Sequence, residues 1–597
     1  MSESLEKCWP DRHSTTVAAF ALAVGGLALI ILSAADFFPL IWLGRHLSSR
    51  GALSDAFTLQ LRHSQWIFAA LLMLVSPFIA LLSPVLRTLY ERSLARGPWM
   101  YGFLAAASVF LSLAVQCFLF QNIPHITDAT AHLFQAKIFA LGRLFAPAPI
   151  CYEHFFQYDI NVSTDGRWFS LYPPGCALYL SPFILAHCAG LALPFSFGIT
   201  TLACIWIVKH VYGSRESLLL GCLMTLSPLN LLLASSFMSH TVFLMFYSAA
   251  AALGIASFTG EGRTWVSAVQ TFAAGLLGGM AAITRPQDFA ALTPALLGGL
   301  WFARRALVIR PRAGIAALLG FGIPMVFLLG WNISVYGHAL DIGYGRANLP
   351  MLTHTLAPHF GLNGAFGWHK ASRQFLWTLS RFDRVLLGWP TSLALAPLFI
   401  LSRRRGWFDG IALMAITSVI ALYFFYAYYG LELEARFYAP AVPFAVFLVV
   451  RGVTALPDRL QCRFGLSSDA VVAGLLAALT LHALVFYWPS YLWPTFSRDY
   501  EQASPVVRNV AEREEPGKAL ILIDTSGANT FRYSSGFMWN DPLLTNEVIY
   551  ARDLGDEKNE CLKSAFHDRT IYRFMPNADW SDGHLVPVWH PGSSVPP

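Results

Sequence analysis

Residues 121–147, QNIPHITDATAHLFQAKIFALGRLFAP, place a carboxylate and two imidazoles between two long apolar runs. Asp128 and His132 are four residues apart, which places both side chains on one face of a helix, and Gln135 follows three residues later. A carboxylate at a membrane surface could take a proton from an incoming hydroxyl, or hold a metal ion that assists the same step. His132 and His125 could support either role, or could pack or hydrogen-bond a substrate, because Asp/His spacing alone is not specific for a metal.

The same helix has an apolar face, formed at steps of 4, 3 and 4 by Phe134, Ile138, Leu141 and Phe145. A helix with one apolar and one titratable face, between membrane spans, is predicted to lie in the bilayer interface. The alternative is that Asp128 only caps a helix that starts at Ala129.

Arg285 lies in the sequence Thr284-Arg285-Pro286, between two further apolar runs. An arginine at mid-membrane costs about 2.5–3.5 kcal/mol on insertion scales, so it is expected to face a cavity or a partner. Its planar guanidinium fits a phosphate or a carboxylate. Two alternatives stay open: the side chain could reach the outer interface, or it could pair with Asp288.

Three charges, Glu432, Glu434 and Arg436, follow the aromatic-rich run YFFYAYYG. Arg436 is followed at once by the apolar sequence FYAPAVPF, so a half-buried guanidinium that needs an anion is expected. A lipid phosphate would satisfy it, and a salt bridge to Glu432 four residues earlier would do so equally well.

His240, in SFMSH, stands where another apolar run begins, and polar groups that enter a bilayer commonly mark pathways. Tyr172 opens the rigid turn Tyr-Pro-Pro-Gly and could contact a substrate. Cys151 and Cys176 could pair in an oxidising compartment, although spacing does not fix connectivity.

The composition indicates an integral membrane protein. Of the 597 residues, 55% are hydrophobic and 13% are charged, against about 25% charged residues in soluble domains. The net charge of +6 is spread over short loops, so a basic face for nucleic acid is not expected. The chain contains no phosphate-binding loop and no GxSxG, which leaves nucleotide-driven transport without support.

Fourteen long apolar runs between residues 17 and 491 are candidate spans, and most have the ~17–25 residues that a tilted span needs. Positive charge marks the cytoplasmic side, which assigns the loop 87–96 to it. Four other loops are basic: 209–215, 304–312, 403–405 and 451–463. They lie on the same side as loop 87–96 only if one of the intervening apolar runs does not cross the membrane. The run 172–192, interrupted by Pro182, is predicted to be re-entrant or bent. Thirteen crossings then place the N-terminus inside and the C-terminus outside.

With this topology, the unusual polar residues of the membrane part fall on the outer face, which predicts a single site there. Residues 492–597 contain two strand-like stretches, KALILIDTSG and RTIYRFMP, with charged sequence between them. The predicted fold is therefore an all-α polytopic membrane protein with a small C-terminal α/β domain. Its parts are N-terminal transmembrane helices (1–120), an outer loop with interfacial helices (121–175), a transmembrane core (176–491) and an extra-membrane domain (492–597).

Several motifs occur here in a recognisable order. They are HITDATAHLFQAKIFALGRLFAP, DGRWFSLYPPG (165–175), ASSFMSH (234–240), ITRP (283–286), LLGWP (386–390) and ARFYAPAVPF (435–444). Over residues 120–455 the chain resembles the GT-C superfamily of membrane glycosyltransferases. The nearest likeness is to bacterial relatives of protein O-mannosyltransferases and of the aminoarabinose transferase of lipid A.

The resemblance implies a polyprenyl-phosphate-linked sugar donor, used with inversion on the periplasmic face of the bacterial inner membrane. Asp128 matches the loop carboxylate of the family and would be the general base. Arg436 would neutralise the departing lipid phosphate, and Arg285 could join it.

Substrate contacts are expected from His132, Tyr172, His240 and Glu434. The acceptor would be an envelope lipid, glycan or protein. No cofactor is predicted with certainty, although a divalent metal is possible.

Many relatives carry an Asp-Glu pair in this loop, whereas this chain has Ala129 after Asp128. Either Asp128 suffices alone, or Glu434 or Asp288 stands in for the second carboxylate, or activity is reduced.

Two other functions compete. A transporter or flippase of a lipid-linked saccharide usually shows internal repeats, and none is evident in this sequence. A non-catalytic envelope scaffold would leave Arg285 and the clustering of polar segments on one side unexplained.

Overall fold

The computed structural model describes residues 67–75, 92–93, 96–259, 264–309, 311–341, 359–362, 366–402, 406–427, 432–464, 468–497, 499–529 and 531–591. The predicted span 17–43 and most of the predicted span 65–86 lie outside these residues.

The membrane part is helical. The α-helices that precede the C-terminal domain are α1 (Gly97–Phe118), α2 (Thr127–Ala140), α3 (Gly175–Leu185), α4 (Ala192–Val211), α5 (Ser214–Leu226), α6 (Pro228–Ala234), α7 (Ser239–Thr259), α8 (Thr264–Thr284), α9 (Pro286–Ile309), α10 (Pro311–Tyr336), α11 (Trp368–Leu387), α12 (Trp407–Phe424), α13 (Val442–Phe464), α14 (Ser468–His482) and α15 (Trp493–Phe496). Within the described ranges, eight helices are long and apolar enough to cross a membrane, or up to nine if α5 and α6, bent by 57°, form one span. The chain is therefore a multi-pass membrane protein, and the predicted count of thirteen crossings is not confirmed.

The run 172–192, predicted not to cross, contains only the 11-residue helix α3, with Pro182 inside it. At 1.5 Å per residue this helix is about 16 Å long, roughly half of the hydrocarbon thickness.

The run 386–402 is not the continuous span that its composition suggested. Gly388, at φ +69°, ends α11 in the left-handed conformation, and a 3-10 helix follows at Leu393–Leu401.

The outer loop folds as a helix and a small antiparallel sheet. The strands β1 (Ala146–Pro147), β2 (Ile160–Val162) and β3 (Arg167–Ser170) are ordered β1-β3-β2. The helix α2 begins at Thr127, and its N-cap is Ile126, so the alternative that Asp128 caps a helix starting at Ala129 is wrong. Asp128 is instead the second residue of the helix.

Further along the chain, β4 (His359–Phe360) and β5 (Tyr426–Ala427) form a short antiparallel pair beside the membrane part.

The C-terminal residues form the predicted α/β domain. Its sheet contains β6 (Ala519–Asp524), β7 (Val548–Asp553), β8 (Thr570–Pro576) and β9 (Gly583–Trp589) in the order β7-β6-β8-β9. β6 runs parallel to β7 and β8, and β9 is antiparallel to β8. The helices are α16 (Val506–Glu514), α17 (Ser534–Phe537) and α18 (Asp556–Ala565).

The outer loop and the C-terminal domain share one apolar core. Phe134 of α2 packs against Trp168 of β3 and Phe537 of α17, with ring centroids 4.5 and 5.4 Å apart. Ile138 is fully buried in the same cluster, whereas Leu141 is 48% exposed. The apolar face of α2 is thus covered largely by protein, which corrects the prediction that it faces the bilayer interface.

A disulfide joins Cys151 of the outer loop to Cys561 of α18. The alternative pairing of Cys151 with Cys176 is therefore wrong: Cys176 has a free thiol and is buried at the start of α3.

Candidate active site

Asp128 of α2 and Arg436, which precedes α13, lie in contact. Arg436 opens the 3-10 helix that leads into α13, and its Nη1 lies 3.6 Å from Oδ2 of Asp128. Its Nη2 lies 3.4 Å from Oε2 of Glu432. The Arg436 side chain is 8% exposed and that of Asp128 is 19% exposed. The salt bridge to Glu432, one of the two alternatives for Arg436, is therefore present, and the same guanidinium stays a candidate anion site.

The guanidinium of Arg436 has unused hydrogen-bonding capacity. Its Nε and Nη1 are buried and have no hydrogen-bond partner among the described residues. A guanidinium carries five N–H donors in a fixed plane, and buried donors are nearly always paired. These donors are therefore suited to the oxygens of an anionic ligand.

Asp159 is a second carboxylate beside Asp128 that was not predicted from the sequence. It precedes β2 at φ +65°, and its Oδ2 accepts a 2.5 Å hydrogen bond from Oγ1 of Thr127, the residue before Asp128. Its backbone oxygen accepts from the amide of Leu171 at 2.8 Å. Burial, and then the negative charge of Asp128, raise the pKa of Asp159 to about 7.

Only one pattern in the sequence could have suggested Asp159. The outer loop 121–175 holds four acidic residues, Asp128, Glu153, Asp159 and Asp165. With Ala129 in place of a second acid, one of the other three was the natural candidate, but no spacing rule selects among them.

His132 and Tyr172 line the same region. Their rings lie 4.8 Å apart, and the Tyr172 side chain also hydrogen-bonds Asp159. Burial lowers the pKa of His132 to about 4, while the charge of Asp128 acts in the opposite direction. His132 is therefore a neutral imidazole at physiological pH.

His240 lies in the first turn of α7 and is 1% exposed. It lies near the side chains of Arg285, Arg436 and His132. Neither ring nitrogen has a hydrogen-bond partner among the described residues. A buried imidazole in this condition can accept or donate one further hydrogen bond to a ligand.

Arg285 is held within the protein. Its Nε pairs with the carboxylate of Asp288, which also accepts from the hydroxyl of Tyr423, and its Nη1 donates to Oγ of Ser239 at 3.1 Å. Of the alternatives for Arg285, the pairing with Asp288 is therefore the one that the structure shows. Because Ser239 directly precedes His240, Arg285 also fixes the start of α7.

Glu434 lies in a separate buried cluster. Its Oε2 is 3.3 Å from Nη1 of Arg381, and its Oε1 accepts from the hydroxyl of Tyr491 at 2.7 Å. The two oxygens of this carboxylate are therefore bound by Arg381 and Tyr491. Glu434 and Asp288, the two candidates for a second acid, are thus each bound to other residues, whereas Asp159 accepts a hydrogen bond from Thr127, the residue next to Asp128.

Across the described residues, no group of three or more His, Cys, Asp or Glu side chains could hold a metal ion. The possible divalent metal thus stays a prediction from the sequence.

No protein-family profile matches this chain, and no curated protein sequence matches it. Among solved structures, it is similar to ArnT from Cupriavidus metallidurans bound to undecaprenyl phosphate, at 12% identity and a TM-score of 0.46, over 82% of this chain and 97% of that one. It is also similar to the Archaeoglobus fulgidus oligosaccharyltransferase in the apo form, at 12% identity and a TM-score of 0.39, over 80% and 69% of the two chains.

A third similar structure is the archaeal oligosaccharyltransferase AglB from Archaeoglobus fulgidus in complex with an inhibitory peptide and a dolichol-phosphate. The identity is 11% and the TM-score 0.38, over 79% of this chain and 69% of that one.

Proposed function

We propose that this chain is an integral membrane glycosyltransferase that moves a sugar from a polyprenyl-phosphate donor to an acceptor of the cell envelope. The observation that carries the proposal is the contact between Asp128 and Arg436. It puts a partly exposed carboxylate 3.6 Å from a buried guanidinium that has unused N–H donors. A proton acceptor and a site for an anionic leaving group are the two parts that such a transfer requires.

In the proposed reaction, the carboxylate of Asp128 takes the proton of the acceptor hydroxyl. The hydroxyl oxygen attacks the anomeric carbon as the bond from that carbon to the phosphate oxygen breaks. The electron pair leaves with the lipid phosphate, whose charge is held by Arg436. Attack opposite the leaving group inverts the anomeric carbon.

The donor would also activate the base. Without donor, the single guanidinium of Arg436 is shared between Asp128 and Glu432. A phosphate bound to Arg436 competes with both carboxylates for that positive charge. The carboxylate of Asp128 is then released from Arg436 and can face the acceptor hydroxyl.

The other residues of the site support binding and position. His240 can hydrogen-bond the donor phosphate or the sugar, because both of its ring nitrogens are unused. Tyr172 connects His132 to Asp159 and can contact the sugar. Arg285 acts as a positioning residue, since Asp288 and Ser239 already take its hydrogen bonds.

The disulfide Cys151–Cys561 supports a location of the site outside the cytoplasm, since such bonds persist in oxidising compartments. We therefore retain the topology proposed from the sequence: a multi-pass protein of the bacterial inner membrane, with its N-terminus in the cytoplasm and its C-terminal domain in the periplasm. The acceptor is an envelope lipid, glycan or protein.

The test compares wild type with Asp128→Asn in liposomes, using a panel of radiolabelled polyprenyl-phosphate sugars and counting both transfer and released lipid phosphate. Loss of the base should lower transfer by about 10²–10⁴-fold. Asp165→Asn is the matched control, because Asp165 lies in the same loop, is exposed and pairs with Arg167. Transfer by Asp128→Asn at the wild-type rate would refute the proposal, as would movement of the intact donor across the bilayer without any transfer.

Arg436→Gln addresses the phosphate site separately. It should weaken donor binding and transfer together, whereas Arg436→Lys, which keeps a positive charge but not the planar set of donors, should retain part of both. Unchanged donor affinity in Arg436→Gln would remove Arg436 from the site.

A further inference from the structure

The segment that carries Asp159 is fastened to the C-terminal domain. The disulfide Cys151–Cys561 holds its beginning. Lys558 pairs with Glu153 at 2.9 Å, next to the disulfide. Further along, Nε2 of Gln157 donates to Oγ of Ser534 at 2.9 Å, two residues before Asp159. The segment 151–159 therefore follows the surface of α17 and α18.

The helix that carries Asp128 is fastened to the same domain at its other end. The Nζ of Lys137 donates to the backbone oxygens of Met538 at 2.5 Å and Asn540 at 2.9 Å. Asp128 lies nine residues earlier on α2, about 13 Å along the helix axis. A rigid helix transmits the position of Lys137 to Asp128.

The two carboxylates thus come from separate segments that share one support. They meet at the hydrogen bond from Thr127 to Asp159, and each segment has its own attachment to the C-terminal domain. Displacement of either attachment would change the separation of Asp128 and Asp159. A shift of the order of 1 Å in such groups can lower a rate by about 10²-fold.

We infer that the C-terminal domain is a brace that sets the spacing of the Asp128–Asp159 pair, with the disulfide Cys151–Cys561 and Lys137 as its positioning elements. The inference rests on the proposed transfer reaction. It differs from a purely stabilising role, in which a disulfide acts on the unfolded chain and leaves the folded site unchanged.

The first experiment compares wild type with the double variant Cys151→Ser/Cys561→Ser at saturating donor and acceptor. The expected result is a kcat lower by about 10–100-fold with an unchanged KM for the donor, because the described contacts of the disulfide and of Lys137 do not involve Arg436. The acid limb of the pH–rate profile should also move to lower pH, since the two carboxylates affect each other less when they separate. Cys188→Ser is the control, because Cys188 is a free cysteine outside the site.

Two further measurements apply if the double variant does not fold. Reduction of the folded wild type with dithiothreitol should reproduce the lower kcat, and reoxidation should restore it. Lys137→Gln keeps the disulfide and removes the other attachment, so it should lower kcat and shift the acid limb in the same direction.

A lower unfolding temperature with wild-type kcat and an unchanged pH profile, in all three preparations, would overturn the brace and leave a stabilising disulfide. That outcome would leave the proposed function standing, because the proposed function is tested independently by Asp128→Asn. Loss of transfer in Asp128→Asn together with normal kinetics after reduction refutes the brace alone.

Discussion

Asp159→Asn should make the protein more stable and less active at the same time. The substitution keeps an oxygen that accepts the hydrogen bond of Thr127, and it removes the second negative charge beside Asp128. Burial and the charge of Asp128 raise the pKa of Asp159 from 3.8 to about 7, so its ionised form is unfavourable in the folded protein. The removed charge is therefore a source of instability above neutral pH.

The pKa shift of Asp159 sets the sign and the size of the effect. Between pH 3.8 and about 7 the folded protein retains a proton that the unfolded chain has released, so stability falls as the pH rises through about 7. A shift of about 3 units corresponds to about 4 kcal/mol as an upper limit. Because Asp159 is half-buried, screening by solvent reduces the expected difference to roughly 1–2 kcal/mol.

The assay is thermal unfolding of wild type and Asp159→Asn in detergent across pH 4–8, followed by transfer measurements on the same samples. The variant should unfold a few degrees higher than wild type near pH 8. The two proteins should converge near pH 4, where the carboxyl group is protonated. Wild-type transfer should rise as the pH increases through about 7, and the variant should lack this rise.

Two results would refute the reasoning on Asp159. One is a difference in unfolding temperature that does not change with pH, which would mean that the effect is not electrostatic. The other is an identical acid limb of the pH–rate profile in both proteins, which would mean that Asp159 does not influence the base.

Two further predictions concern neighbouring residues. Burial lowers the pKa of His132 to about 4, so the protein should lose about 3 kcal/mol of stability as the pH falls from about 6.5 to 4. The variant His132→Phe should lose less stability than wild type on acidification. Equal acid sensitivity of the two proteins in thermal unfolding would contradict this. A Cβ at Gly175 would lie 2.4 Å from Oγ1 of Thr284, next to Arg285. Gly175→Ala should therefore lower both the unfolding temperature and the rate of transfer. Gly102→Ala is the control and should leave both unchanged, because a Cβ at Gly102 meets nothing within 4 Å. A wild-type phenotype for Gly175→Ala would show that α3 and α8 can separate without consequence.

The sequence was most informative where chemistry depends on residue type and on membrane topology. Asp128 and Arg436 were both selected from it, because a carboxylate at the start of an outer helix and a half-buried arginine at the end of a span are locally unusual. The distribution of positive charge predicts that both lie on one side of the membrane. Their contact could not be deduced, since it depends on how α2 packs against the segment before α13.

Asp159 shows why the rest of the site was not predictable. It has no periodic relation to Asp128, and it reaches Thr127 because the chain turns at φ +65° into β2. Glu434 is also an acidic residue on the predicted side of the membrane, yet its carboxylate is bound by Arg381 and Tyr491. Residue type alone does not distinguish these two acids.

The sequence by itself determined that this chain is a multi-pass membrane protein with a small C-terminal α/β domain, because hydrophobicity and its periodicity are local properties. Tertiary structure alone decided which carboxylate pairs with which cation, and that Cys151 finds Cys561 across a separation of 410 residues. It also decided that the apolar face of α2 packs on the C-terminal domain. Such contacts join segments that are distant in the chain, and they depend on which surfaces exclude water together in the folded protein.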